Sequence, residues 1–270
     1  MATSNPAFSN SPAFSQSATK AIQWTQEPSS QQLDDLYARS SATPDQMDRM
    51  TYENTIVKTV IAFAVLLVTA AVGWFIPALM IPAAIVGFVL ALVNIFKKKP
   101  SPALVLAYSA AQGLFVGGIS GVFEQIYPGI VTQAVIGTFA VVGVVLALFA
   151  SGKIRASKRA TKVFLVATVG YMLFSLINMG LMIFGVTDSA FGLRSEPSPL
   201  FGFPWGVLIG IFVILLASYS LVLDFDAVKT GVQRGAPAIF GWQAAFGIMV
   251  TVIWLYLEIL RMLAILRGNN

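Results

Sequence analysis

Hydrophobic and polar positions divide this chain into a polar first fifth and seven apolar runs. The runs are Ile56–Ile76, Pro77–Phe96, Pro102–Phe123, Ile130–Ser151, Val163–Phe184, Pro204–Val228 and Trp242–Leu266. Each is continuous and near 20 residues, enough to cross about 30 Å of hydrocarbon at roughly 1.5 Å per residue. Neither the alternation of a half-buried strand nor the short alternating segments of a membrane barrel occurs. The pattern predicts an all-α membrane protein with seven transmembrane helices. Pro77 lies between the first two spans and predicts a tight hairpin there. Pro102 opens the third span, where a missing N–H costs least.

Residues 1 to about 50 are rich in Ser, Gln, Ala, Asn and Thr and repeat Pro-Ala-Phe-Ser at Pro6–Ser9 and Pro12–Ser15. No basic stretch followed by an apolar core reads as a signal peptide. Such a composition buries too little apolar surface to offset ordering entropy, so a disordered tail is expected, followed by a membrane domain from 51 to 270. The tail reads as a spacer, with its two Phe repeats as the alternative, a docking motif.

Composition sharpens the class. Hydrophobic residues make up 57% of the chain and charged ones 11%, against about 25% charged in soluble domains. With no cysteine, disulfides and thiol chemistry drop out; with no histidine, so do histidine triads, histidine metal sites and histidine pH sensing. A proton-linked switch here must use carboxylates. The net charge of +5 raises nucleic acid as a partner, but the basic residues sit between apolar runs, so they read as membrane topology. Of 17 basic residues, 14 fall on one side of a seven-crossing arrangement: Lys20, Arg39, Arg49, Lys58, Lys97–Lys99, Lys153, Arg155, Lys158, Arg159, Lys162, Lys229 and Arg234. That predicts a multi-pass protein of the cell membrane with a cytoplasmic N-terminus and the C-terminus outside. The last span, interrupted by charge, has an alternative in which it enters and turns back.

Charge inside a spanning segment costs at least a few kcal/mol and calls for a reason. The sixth span ends in Leu223-Asp224-Phe225-Asp226, and the seventh carries Thr251, Glu258 and Arg261. If the sixth helix continues to about Val232, Asp224 lies roughly 12 Å inside its end. Thr251, on the antiparallel seventh span, falls at about the same level, and Glu258 two turns deeper on the same face. Asp224, Thr251 and Glu258 thus form a candidate polar ladder, with Asp226 the competitor for the lower rung. Carboxylate oxygens are hard ligands that suit Ca²⁺, so Asp224 and Glu258 are candidate transient metal contacts. A carboxyl removed from water also titrates nearer neutral pH and can gate. The plainer readings are a solvated helix end for Asp224 and Asp226, and mutual neutralisation of Glu258 and Arg261 at i, i+3. Gln112, Ser109, Glu124 and Asn178 read as helix-packing hydrogen bonds, with Gln112 and Arg261 in support of the ladder. Gly113, Gly117, Gly118, Gly121, Gly137 and Gly143 read as close helix contacts.

The run from Trp242 to Arg261, with Met50-Thr51-Tyr52, Leu223–Asp226 and Gly235-Ala236-Pro237, resembles the bacterial Bax-inhibitor-like branch of the Bax inhibitor family over about residues 50 to 268. The resemblance implies seven helices around a central C-terminal one and a pH-dependent calcium leak. It also implies two aspartates, on spans six and seven, that share a proton and latch the pore. Asp224 or Asp226 matches the first. Thr251 stands where the family carries the second, and threonine cannot ionise.

The leading expectation is a pH-sensitive leak channel or transporter for a cation, Ca²⁺ as the transported ion, with no cofactor and the lipid bilayer as its surroundings. The alternative is a regulatory membrane protein that binds other membrane proteins without transport. An enzyme is not expected: an intramembrane aspartyl protease needs two acids at one level, and a serine type lacks its histidine.

Overall fold

The computed structural model describes residues 48–187, 189–198 and 202–268. Among them seven helices are long and apolar enough to cross a membrane. They are α1 Tyr52–Phe75, α2 Met80–Phe96, α3 Pro102–Ile126, α4 Ile130–Ala150, α5 Lys158–Ile183, α6 Trp205–Gln233 and α7 Gly241–Gly268. No strand occurs among the described residues.

The helix boundaries differ from the apolar runs where polar caps extend the helices. α1 starts at Tyr52 rather than Ile56, because the Thr51 hydroxyl accepts the Asn54 N–H at 3.1 Å. α5 starts at Lys158 rather than Val163, with Ser157 accepting from Ala160 at 3.2 Å. α6 continues past Val228 to Gln233, the extension that places Asp224 well inside its end. Pro77–Leu79 forms a 3₁₀ turn that leads into α2, the tight hairpin expected at Pro77.

α7 is the central helix. One part of it, Phe246, Met249 and Ile253, packs with Ala62 and Leu66 of α1 and Val105 and Tyr108 of α3. The next part, Leu255, Ile259, Leu260 and Ala264, packs with Ile130, Ala134 and Val145 of α4 and Ala217, Leu221 and Val222 of α6. α1 and α3 approach through glycines: a Cβ on Gly113 would fall under 3 Å from the Leu66 carbonyl, and one on Gly117 under 3 Å from that of Ala70. That contact has no room for a side chain, as expected when lipid offers no hydrophobic drive and helices associate by close packing.

α7 does not turn back. Its first residue lies against Thr55 and Lys58 at the start of α1, and near its last turn Arg267 donates to the Pro128 carbonyl, in the α3–α4 turn, at 2.7 Å. A single unbroken helix therefore joins the two ends of the bundle, and the entering-and-returning alternative is set aside. The charge that interrupts the apolar pattern at Glu258 and Arg261 is matched inside the protein, so it does not stop the helix.

The residues just before 51 are anchored to the bundle. The Met50 N–H donates to the Ala236 carbonyl at 2.6 Å and the Ala238 N–H to the Asp48 carbonyl at 2.7 Å, which ties the entry to α1 onto the α6–α7 turn. Met50 is 2% exposed. The disorder expected of the tail and the role of its Phe repeat fall on residues 1–47, outside the described residues.

Candidate functional site

Two buried polar clusters lie along α7, and they divide the predicted ladder. The first joins α6 to α7. Asp224 is 1% exposed, and the Thr251 hydroxyl donates to its Oδ2 at 2.6 Å. Ser220, one turn before Asp224 on α6, lies 3.2 Å from the Thr251 oxygen. Thr251 has one proton, committed to the carboxylate, so Ser220 is the donor to Thr251. The result is a directed chain, Ser220 to Thr251 to Asp224, across the helix seam. Hydrogen bonds to an ionised acceptor are short and about twice as strong as neutral ones. The equal depth expected of Asp224 and Thr251 is what the two helices present. Ser220 was not foreseen, although its i, i+4 spacing to Asp224 puts both on one face of α6.

Asp226 is turned away from this chain. It is half-buried, within the electrostatic reach of Lys229 and of Arg155 in the α4–α5 loop. Two residues along a helix is about 200° of rotation, so both acids cannot face α7.

The second cluster surrounds Glu258, also 1% exposed. Arg194 donates to Oε1 at 3.1 Å; Arg261 and the Tyr171 hydroxyl donate to Oε2 at 2.8 and 2.7 Å. Arg194 reaches further, to the Tyr171 oxygen at 3.0 Å and Ser175 at 3.2 Å, and Arg261 meets the same Tyr171 oxygen at 3.1 Å. The Arg194 guanidinium also lies over the rings of Tyr171 and Phe174, 5.3 and 5.5 Å from their centres. Glu258 is therefore no open ligand for a cation. Two guanidiniums occupy its oxygens, and an incoming Ca²⁺ would meet their positive charge first. Both Glu258 oxygens are engaged by Arg194, Arg261 and Tyr171, and the i, i+3 pairing with Arg261 is present.

Arg194 lies in the loop between α5 and α6, yet it is 3% exposed within the bundle. The turn Gly192–Ser195 folds inward because Asn178 holds it: its Oδ1 accepts the Leu193 N–H at 2.8 Å and its Nδ2 donates to the Phe191 carbonyl at 3.1 Å. Gly192 has a φ of +60°, and a Cβ there would run into Asn178. Tyr171, Ser175 and Asn178 stand at i, i+4 and i+7 on α5, a polar stripe on an apolar helix. That stripe was the available signal that something polar must face it.

The remaining candidates are packing groups. Gln112 sets its amide against Gly87 of α2, away from the α6–α7 seam, so it does not support the ladder. Ser109 donates to the Val105 carbonyl at 2.8 Å. Glu124 accepts from the N–H groups of Gly129 and Val131, at 2.5 and 3.0 Å, and so satisfies the first turn of α4. The Ser120 and Tyr256 hydroxyls meet at 2.6 Å between α3 and α7.

Seven crossings around a central last helix, with a buried acid on the sixth, are the arrangement that the resemblance to Bax inhibitors implies. The chain matches the family described as Bax inhibitor 1 like over residues 5–268. It belongs to that family. The comparisons with curated proteins and with solved structures gave no match. The match reaches back to residue 5, so the family relation is not confined to 50–268. In this Bax inhibitor 1 like protein the position where the resemblance places a second aspartate is Thr251, and its hydroxyl lies against the first.

Proposed function

We propose that this protein is a pH-sensitive leak pathway for cations, with Ca²⁺ as the transported ion, and that the gate is the α6–α7 seam at Asp224. The observation that carries the reading is the short Thr251–Asp224 hydrogen bond at a position where the carboxylate is 1% exposed. A carboxylate in the interior of a spanning bundle is costly unless it is held or used. Here it is held by a hydroxyl that a single proton releases. While Asp224 is ionised, Thr251 donates to it and the helices stay tied. Once Asp224 takes a proton it becomes a donor itself, the charge-assisted bond is lost, and the seam loosens.

A two-carboxylate latch cannot operate in this form, because threonine does not titrate. The proton belongs to Asp224 alone. Glu258, fixed by Arg194 and Arg261, supports the bundle about two turns further along α7 and carries no ion in this account. In this reading the activity is transport, supported by the two buried acids standing in separate clusters with different partners.

Reconstitution with a trapped Ca²⁺ indicator tests the reading. Thr251→Val keeps the shape and removes the donor, so it should raise Ca²⁺ leak at pH 8 to the level wild type reaches in acid. A leak unchanged by Thr251→Val would remove the seam as the gate. The rival reading, a regulatory membrane protein without transport, is favoured if wild-type vesicles pass no cation at any pH.

A further inference from the structure

The bundle has an open flank that the ion reading leaves unexplained. α1 and α4 both pack on α3, α6 and α7 but leave a gap between themselves. The gap is a crevice of about 1190 Å³ that follows α1 from Tyr52 to Phe75 and α4 from Val131 to Ala150. Its floor comes from α3, α6 and α7, including Val116, Phe225 and Val252. At about 1.5 Å per residue its length matches the thickness of the hydrocarbon layer. Both walls are membrane-spanning helices.

The lining sets the occupant. It is apolar almost throughout, and the Ser120 and Tyr256 hydroxyls within it satisfy each other at 2.6 Å. An apolar cavity offers ordered water no partners and does not hold it. At roughly 30 Å³ per water-sized group the crevice takes about 40 such groups, the bulk of two acyl chains. One charged side chain lines it, Lys229, one turn before the end of α6 and at the same end as Tyr52 and Ala150. Lys229 makes no close ion pair among the described residues, and Asp226, three residues before it on α6, lies within its electrostatic reach without capping it. A cation at one mouth of an oily channel complements a molecule with one anionic end and long hydrocarbon chains.

We infer that the α1–α4 crevice is a binding site for an anionic phospholipid, its acyl chains lying along α1 and α4 and its phosphate on Lys229. This goes beyond the leak reading and does not depend on it, because neither Asp224 nor Thr251 lines the crevice. A surface lipid would be exchanged freely, whereas this one is gripped by walls on both sides and so should survive purification.

Native mass spectrometry of the full chain, released from nanodiscs of equal phosphatidylglycerol and phosphatidylcholine, tests it. Wild type should retain phosphatidylglycerol in preference. Lys229→Gln should lower that preference about fivefold, the worth of one basic residue at an anionic surface, while still binding lipid. Val135→Trp and Leu67→Trp fill the crevice from α4 and from α1 and should each remove the retained lipid of either kind. Val166→Trp, on the exposed face of α5, is the control and should retain it. The inference is overturned if the two crevice-filling variants keep as much lipid as wild type. It is equally overturned if Lys229→Gln keeps the full preference. Wild type that retains no lipid, with the crevice filled by residues 1–47 or by a second copy of the chain, overturns it as well.

Discussion

Arg194 and Glu258 stand 64 positions apart in the chain and meet at 3.1 Å inside the bundle, with side chains 4% and 2% exposed. The contact joins the α5–α6 loop to the middle of the central helix. It also explains how α5 is attached: Tyr171 reaches both residues, Ser175 reaches Arg194, and the Tyr171 ring stacks near Trp254 of α7. A buried ion pair is not by itself a large net gain, because desolvation opposes it. Loss of one partner is another matter, since the other charge stays in the interior.

Arg194→Met should therefore destabilise the protein by about 3–5 kcal/mol, the usual cost of stranding one member of a buried pair. Arg261 remains, but with 35% of its side chain exposed it is a weaker partner. The double variant Arg194→Met, Glu258→Leu should recover much of that loss. Thermal unfolding in detergent measures both, and a double variant less stable than Arg194→Met would contradict the pairing.

Asn178→Ala should release the Gly192–Ser195 turn by removing both of its anchoring bonds. The chain has no cysteine, so Leu193→Cys gives a clean reporter. Maleimide labelling of Leu193→Cys should quicken severalfold when Asn178→Ala is added. Equal labelling rates would mean that the turn is held by something else.

Glycine substitutions separate close helix contact from open space. Gly117→Ala drives a Cβ into the Ala70 carbonyl and should abolish a monodisperse, folded product. Gly143→Ala meets nothing within 4 Å and should behave as wild type or slightly better, since alanine favours a helix by about 1 kcal/mol over glycine. Size-exclusion profiles of the two variants check the contrast.

Much of this was legible in the sequence, for physical reasons. A run of twenty apolar residues has one solution in a bilayer, so the seven crossings followed from length alone. The level of Asp224 with Thr251 followed from antiparallel helices and a fixed rise per residue. The resemblance supplied α7 as the central helix, and the family match extends it over the tail. The partners of Glu258 were not legible, because Arg194 sits in a loop and its distance to α7 depends on how Asn178 and Gly192 fold that loop inward. The same limit applied to Gln112, whose helix was right but whose direction toward α2 needed the packing of α3. The crevice was invisible for a further reason: a gap between helices leaves no mark on either one's apolar pattern.

The central claim is that one proton on Asp224 sets the leak. The most direct test is Ca²⁺ flux from proteoliposomes between about pH 6 and 8, the range in which desolvated carboxyls titrate, for wild type beside Asp224→Asn. Wild-type flux should rise as pH falls, and Asp224→Asn, which mimics the neutral acid, should leak at the acid-side rate throughout. A pH-dependent flux that survives in Asp224→Asn, or a wild-type flux flat across that range, would contradict the account.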